Sequence, residues 1–270
     1  MSATAAPRKL GILLAHGGIH TPTCFDPAKT RLEAAGFFPV IAVRHPSLGT
    51  DPTITMDDDA RNIQSELSPY LDEGREFLCV AHSYGGTPMV AAVQGLSIAD
   101  RKAQGKRGGI AAVVFITAVV PAARGGGAFD VIPSELDITS VINGIVVGKP
   151  AAKDVLYKPD MSEETANQYM ATWEPQSLAA LAGPVTFCIE DLNISTYYIL
   201  CEKDLCLSPA LQQKIASTIP NLKSLLRNPG GHSAIITEVE TFVEQLIGIS
   251  EEVEGNRVVN SSSIDNLLEF

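Results

Sequence analysis

The chain is poor in basic residues: 20 Lys and Arg stand against 31 Asp and Glu over 270 residues, for a net charge of −11. Nucleic-acid binding draws its affinity from clustered cations, so no nucleic-acid partner is expected. The one basic cluster, Arg101 to Arg107, is short, broken by Gly105, and reads as a solvated loop. No apolar run approaches the roughly 20 residues of a membrane span, so no membrane partner is expected either. Five cysteines are an odd number and show no C-x-x-C spacing for zinc or thiol redox chemistry. Cys79, inside an apolar run, reads as a small buried apolar residue. No long apolar segment follows the first positive charges at Arg8 and Lys9, so a secretory leader is not expected and a cytoplasmic location is. The five histidines are too scattered for a clear ligand set and no glycine-rich dinucleotide fingerprint follows the first apolar run; neither metal nor organic cofactor is expected.

With 45% hydrophobic and 19% charged residues, the chain suits one large globular domain spanning 1–270. Leu10 to Ala15 is a continuous apolar run, as in a strand buried on both faces. A helix follows from Asp26-Pro27 to Gly36, a strand over 37–43, and a helix from Thr55 to about Leu71 with Ile63, Leu67 and Leu71 on one face. A strand ends at Ala81, a helix-compatible segment follows, and Ile110 to Val120 reads as the central strand. From about 124 to 192 the alternation stops, and weakly helical pieces around 132–147 and 162–173 read as an inserted helical cap. The rhythm resumes with strands over 196–201 and 223–226 and helices over 208–219 and 233–247. The core is then about 9–123 and 193–248. Residues 251–270 read as a frayed polar tail. Alternating strands and helices imply a parallel sheet covered on both faces, with ligands at the carboxyl ends of its strands.

At one such end stands Ala81-His82-Ser83-Tyr84-Gly85, the nucleophile-elbow pattern with alanine for the first glycine. A serine on a strained strand-to-helix corner is exposed, needs small neighbours, and sits near backbone N–H groups that favour developing negative charge. Its hydroxyl needs a base, and the base a group to orient it. His82 should point away from Ser83, and His16 and His20 belong to the first loop. His232, in Gly230-Gly231-His232-Ser233 between a strand and the last helix, shares the carboxyl edge with Ser83, against the simpler reading of a capping or surface histidine. Two carboxylates, Glu202 and Asp204, end the strand before it. Asp204 is favoured because it falls beyond the strand; Glu202 then reads as a solvated edge carboxylate. Oxyanion donors would be the Tyr84 N–H and one from the Gly17-Gly18 loop. Gly17, Ile19 and His20 on that loop are candidates for the pocket wall. Ile138, Val141, Ile145, Met161, Met170 and Trp173 could line an apolar pocket or form an internal core of the cap.

These motifs resemble the α/β-hydrolase fold, and most closely the small plant-type methylesterase and hydroxynitrile lyase group with its bacterial and fungal relatives. His16-Gly17-Gly18-Ile19-His20 is similar to that group's His-Gly-x-x-His loop, which implies Gly18 as the donor. Glu202-Lys203-Asp204 followed by Pro209 resembles its acid turn, and Gly-Gly-His twenty-eight residues beyond Asp204 its base loop. The resemblance implies a mostly parallel six-stranded sheet, in standard order 4-3-5-6-7-8, with helices on both faces. Cyanohydrin-cleaving members carry lysine after the catalytic histidine and threonine after the first loop histidine, where this chain has Ser233 and Gly17. The departure favours ester hydrolysis on a small-molecule ester or metabolite. The alternative is lyase or cyclising chemistry on a metabolite, and a homodimer is compatible with such a chain.

Overall fold

A computed structural model of the chain describes residues 9–265 apart from 134 and 159. Strand β1 (Gly11–Ala15) leads to helix α1 (Asp26–Ala34), and β2 (Val40–Val43) to α2 (Met56–Asp72). Strand β3 (Glu76–His82) leads to α3 (Gly86–Ala92) and α4 (Ile98–Ala103), before β4 (Gly109–Ile116). An excursion follows, with strands β5 (Thr139–Ile142) and β6 (Ile145–Gly148), helices α5 (Ala152–Leu156) and α6 (Glu163–Met170), strand β7 (Gln176–Ser177) and helix α7 (Leu178–Ala182). The chain then resumes with β8 (Thr196–Cys201), α8 (Pro209–Ser217), β9 (Leu222–Asn228), α9 (Ala234–Thr237) and α10 (Val239–Asp265).

Six strands form one sheet in the order β2-β1-β3-β4-β8-β9, every neighbour parallel. Because side chains alternate across a strand, β1 sends Leu13 and Ala15 to one face and Ile12 and Leu14 to the other. The first face packs against α2, α3 and α8; the second against α1, α9 and α10. Helix α2 begins where the Thr55 N–H and hydroxyl both donate to the Asp58 carboxylate, at 2.8 Å each. It buries Ile63, Leu67 and Leu71 completely, each worth roughly 1.5–3 kcal/mol. Leu67→Ala would open the middle of that stripe at a cost of about 2–5 kcal/mol.

Three expectations are corrected. Residues 132–147 are not helical: β5, β6 and β7 form a separate three-stranded antiparallel sheet, so the cap combines short helices with a sheet. The region beyond 251 does not fray at once, because α10 continues to Asp265. Glu252 accepts a 3.0 Å hydrogen bond from the Tyr197 hydroxyl and Val253 packs on the core, which holds the helix to the sheet; residues 266–270 lie outside the described residues. Nor is Arg101 solvated. Its guanidinium is buried, donates to the Arg107 carbonyl and pairs with Asp72 at 2.8 Å, folding the basic stretch back on itself. Among the described residues no helix is long and apolar enough to cross a membrane.

Candidate active site

Strand β3 runs into the sheet's carboxyl edge and turns at Ser83, whose φ of +51° lies in the left-handed region a serine rarely adopts. Helix α3 starts three residues later. The smallness of Gly85 and Gly86 answers to neighbouring backbone rather than to the turn itself. A Cβ on Gly85 would meet the Ala15 carbonyl oxygen at 2.6 Å, and one on Gly86 the Val119 carbonyl oxygen at 2.5 Å. Ser83 is 7% exposed, contrary to the expectation of an exposed hydroxyl. It opens onto a cleft between the sheet edge and the cap instead.

His232, on the loop after β9, comes to Ser83. Its Nε2 lies 3.0 Å from Ser83 Oγ, and its Nδ1 lies 2.8 Å from Asp204 Oδ2. Asp204 sits just past β8, and donors surround its carboxylate. The N–H groups of Cys206 (2.7 Å) and Leu207 (2.9 Å) point at Oδ1, while the Thr117 hydroxyl donates to Oδ2. A carboxylate so placed fixes the imidazole with Nδ1 protonated and Nε2 ready to accept. Glu202 is exposed and binds Arg227 at 3.1 Å, so of the two carboxylates only Asp204 reaches His232. The neighbouring His82 turns away from Ser83 and donates from Nε2 to the His232 carbonyl at 2.8 Å. The base loop is also held from the cap. Asp160 accepts from the Gly231 N–H and from Lys203, which precedes Asp204.

The loop after β1 approaches from the other side. His16 donates from Nδ1 to the Gly17 carbonyl at 2.8 Å and accepts the His45 N–H at 3.3 Å. His20 donates from Nδ1 to the Gly18 carbonyl at 2.9 Å, which leaves Nε2 to accept the Tyr157 hydroxyl at 3.0 Å. Trp173 donates in turn to that hydroxyl at 2.7 Å. Ile19 holds a φ of +56°, and its N–H donates to the Gln176 side chain at 2.8 Å. Gly17 is not part of the cavity wall. It lies against Ser83, where a Cβ would come within 2.9 Å of Ser83 Cβ and 3.0 Å of His82 Nδ1. Burial governs the protonation of these rings: it pushes His20 down from 6.5 to about 4, drives His16 and His82 well below the ordinary value, and lowers His45. All four are neutral at pH 7.

The cavity, of about 420 Å³, is walled by Gly18, Ile19, His20, Ser83, Tyr84 and His232 on the core side. Phe129, Ile132, Leu136, Val146, Leu156 and Leu181 close it on the cap side. Of the cap side chains expected from sequence, only Ile138 reaches it. Met161, Met170 and Trp173 pack with Leu156 and Tyr157 in a small core of the cap, Ile145 is buried away from the cavity, and Val141 is exposed. Among the described residues, no group of three His, Cys, Asp or Glu could hold a metal ion.

A model of the alpha/beta hydrolase family matches residues 12–245. The chain belongs to that family. This α/β hydrolase is 29% identical over 215 residues to "Probable hydrolase R7" of Phoma sp., covering 74% of this chain and 80% of the relative. It is 24% identical over 243 residues to "Alpha/beta hydrolase nvfD" of Aspergillus novofumigatus, covering 88% of this chain and 95% of that one. Among solved structures it resembles polyneuridine aldehyde esterase with a TM-score of 0.71 at 19% identity, over 90% of this chain and 99% of the other. At that identity the likeness concerns the fold alone.

Sequence reasoning missed several polar residues at the site of this α/β hydrolase. Thr117 was hidden because it continues the apolar run of β4; its place at the same carboxyl edge as Ser83 was the available signal. Asp59 reads as one of three first-turn acids of α2, yet it is fully buried and binds the Tyr84 hydroxyl at 2.5 Å. Gln176 and Asp160, from the cap, carry no motif.

Proposed function

We propose that this α/β hydrolase is a serine esterase that cleaves a small to medium carboxylic ester through Ser83, His232 and Asp204. The observation that carries the reading is the unbroken hydrogen-bond line from Ser83 Oγ through His232 to Asp204, 3.0 and 2.8 Å long, opening on an apolar cavity. Ser83 Oγ attacks the ester carbonyl carbon while its proton passes to His232 Nε2, and Asp204 holds the resulting imidazolium through Nδ1–H. The N–H groups of Gly18 and Tyr84 are the donors assigned to the oxyanion; Tyr84 is the second residue of the helical turn Ser83–Gly85, at a helix start where N–H groups lack intrahelical partners. Collapse breaks the ester C–O bond, His232 returns the proton to the departing alcohol, and the acyl group stays on Ser83. Water then gives its proton to His232, attacks the acyl carbon, and releases the carboxylic acid and the free serine.

The cavity wall is aliphatic and aromatic, and its described residues include Asp137 but no Lys or Arg. That favours an uncharged, apolar acyl or alcohol group over an anionic one. All five cysteines are buried free thiols, which fits a cytoplasmic location.

The test is labelling with a fluorophosphonate together with turnover of short p-nitrophenyl esters. Ser83→Ala should abolish labelling and lower turnover by about 3–6 kcal/mol of transition-state stabilisation while the protein still unfolds cooperatively. A variant retaining more than about a tenth of wild-type turnover would remove Ser83 as the nucleophile, since that is under 1.4 kcal/mol. Labelling without ester turnover would favour the lyase or cyclase alternative.

A further inference from the structure

The cavity side of the site is supported from behind by a buried anion that the catalytic line does not use. Asp59, in the first turn of α2, is fully buried and has no cationic partner among the described ion pairs. Burying an unpaired carboxylate is unfavourable unless hydrogen bonds replace its water. Three do. Ser47 donates to it from its N–H (2.9 Å) and its hydroxyl (2.6 Å), and Tyr84 donates its hydroxyl at 2.5 Å.

The network continues outward in one direction only. The Ile19 N–H can only donate, so the Gln176 side-chain oxygen accepts it at 2.8 Å. The Gln176 NH₂ must then face Ser47, and donates to its hydroxyl oxygen at 2.8 Å. The Ser47 hydroxyl proton is thereby committed to Asp59. Gln176 and Ser47 are themselves buried, at 0% and 1% exposure. Two separate tethers therefore end on one carboxylate. The first holds Tyr84, whose N–H follows the nucleophile. The second, through Ser47 and Gln176, holds the peptide that joins Gly18 to Ile19, and Ile19 is kept at a φ of +56°. The two arms lie close: a Cβ on Gly18 would be 3.5 Å from the Gln176 oxygen and 3.7 Å from Tyr84 Cβ.

We propose that Asp59, with Ser47 and Gln176, is the positioning group that sets the distance and orientation between the two oxyanion donors, the N–H groups of Gly18 and Tyr84. The inference rests on the esterase reading. Its chemistry is specific. An amide in place of Asp59 offers one accepting oxygen where three donors converge on two, so at least one of the three hydrogen bonds must break, and the amide NH₂ is set against a donor. Gln176→Met keeps the size of the side chain and removes both of its hydrogen bonds, and Tyr84→Phe removes a single hydroxyl.

Removing an oxyanion donor outright costs about 10²–10³ in kcat, and displacing one costs part of that. We expect kcat to fall about ten- to a hundredfold in Asp59→Asn and about tenfold in Gln176→Met, with KM within about threefold of wild type, since only transition-state binding is lost. Affinity for a boronic acid that forms a tetrahedral adduct on Ser83 should fall by the same factors, while inhibition by the product carboxylic acid should not change. A merely structural role would move KM and product binding together with kcat. Should Asp59→Asn fail to accumulate as folded protein, Gln176→Met and Tyr84→Phe decide. Values of kcat within twofold of wild type in both, or losses confined to KM, overturn the proposal. A wild-type protein that neither reacts with fluorophosphonate nor turns over esters would instead sink the esterase reading itself.

Discussion

Lowering the pH from 7.5 to 5 should destabilise this protein steeply, before its carboxylates begin to titrate. Burial holds His16, His20, His45 and His82 neutral, lowering each below the ordinary 6.5. The unfolded chain, with ordinary histidines, binds protons first as the pH falls. Stability is therefore complete above about 6.5 and is lost as the pH drops toward each folded-state value. For His20 that value is about 4, so its contribution runs out between 6.5 and 4. Each pH unit separating the folded and unfolded values is worth about 1.4 kcal/mol, so His20 alone loses about 2 kcal/mol by pH 5 and roughly 3 in full. Four such groups titrating together would give a slope of up to about 5 kcal/mol per pH unit, against a total stability of about 5–15 kcal/mol. Hydrogen-bonded acids such as Asp51 and Asp58 have folded values lowered below 3.8 and add their loss in a separate, lower window. Urea unfolding followed by the fluorescence of Trp173, the one tryptophan, at pH 7.5, 6.5 and 5.5 measures the slope. His20→Gln should reduce it by about one proton. A stability that is flat or rises on acidification over that range would refute the assignment of neutral buried rings.

The proposed acid, Asp204, can be separated from its neighbour Glu202 by amide replacement. Asp204→Asn should cut kcat by up to about 10⁴, the scale known for a triad carboxylate, because it removes the charge opposite the imidazolium and permits the wrong tautomer. Glu202→Gln, losing only an exposed pair with Arg227, should change activity little; the reverse ranking in ester turnover assays would make Glu202 the acid. Gly17→Ala should lower kcat at least about tenfold, because its methyl would sit 2.9 Å from Ser83 Cβ and must displace the nucleophile or the loop. Full activity in steady-state assays of that variant would mean the loop is free to move aside.

The convergence of Ser83, Asp204 and His232 was legible because each combines a strand end with a residue type that the proposed chemistry requires. The parallel pairing of the sheet followed from the same alternation, while its strand order was implied by the family resemblance. The cap was misread over 132–147 because Ile138, Val141 and Ile145 recur at helical spacing. Asn143-Gly144, flanked by Val-Ile and Ile-Val, is the opposing signal of a tight hairpin, and both residues adopt positive φ, +51° and +79°. Two β-branched arms around that turn outweigh a helical period carried by three residues. The expected tail was misjudged for another reason: a polar composition suggested an end, but Glu252 and Val253 find partners on the sheet. What stayed illegible depends on contacts across long separations. Asp59 meets Tyr84 over 25 residues and Gln176 meets Ile19 over 157, and neither pairing leaves a local pattern.

Three non-glycine residues in the left-handed region stand at the carboxyl edge of the sheet: Ile19, Ser83 and Thr117. Each such conformation costs about 1–3 kcal/mol, a substantial fraction of a typical domain's stability, so surrounding contacts must hold all three. Ile19 is held on both sides, its N–H by Gln176 and its carbonyl by the Glu174 N–H at 2.9 Å. The Ser83 carbonyl accepts from the Val119 N–H at 2.9 Å, and the Thr117 N–H donates to the Ile199 carbonyl at 3.0 Å. The short segment 117–119 thus fastens two catalytic candidates at once. Its threonine hydroxyl reaches Asp204, and two residues later its backbone fixes the corner that carries Ser83. Ser83 and Asp204 come from strands that are not neighbours, since β4 lies between β3 and β8. The end of that intervening strand is a place from which a single stretch of chain can hold both, and there a β-branched residue is kept in a conformation it would otherwise avoid.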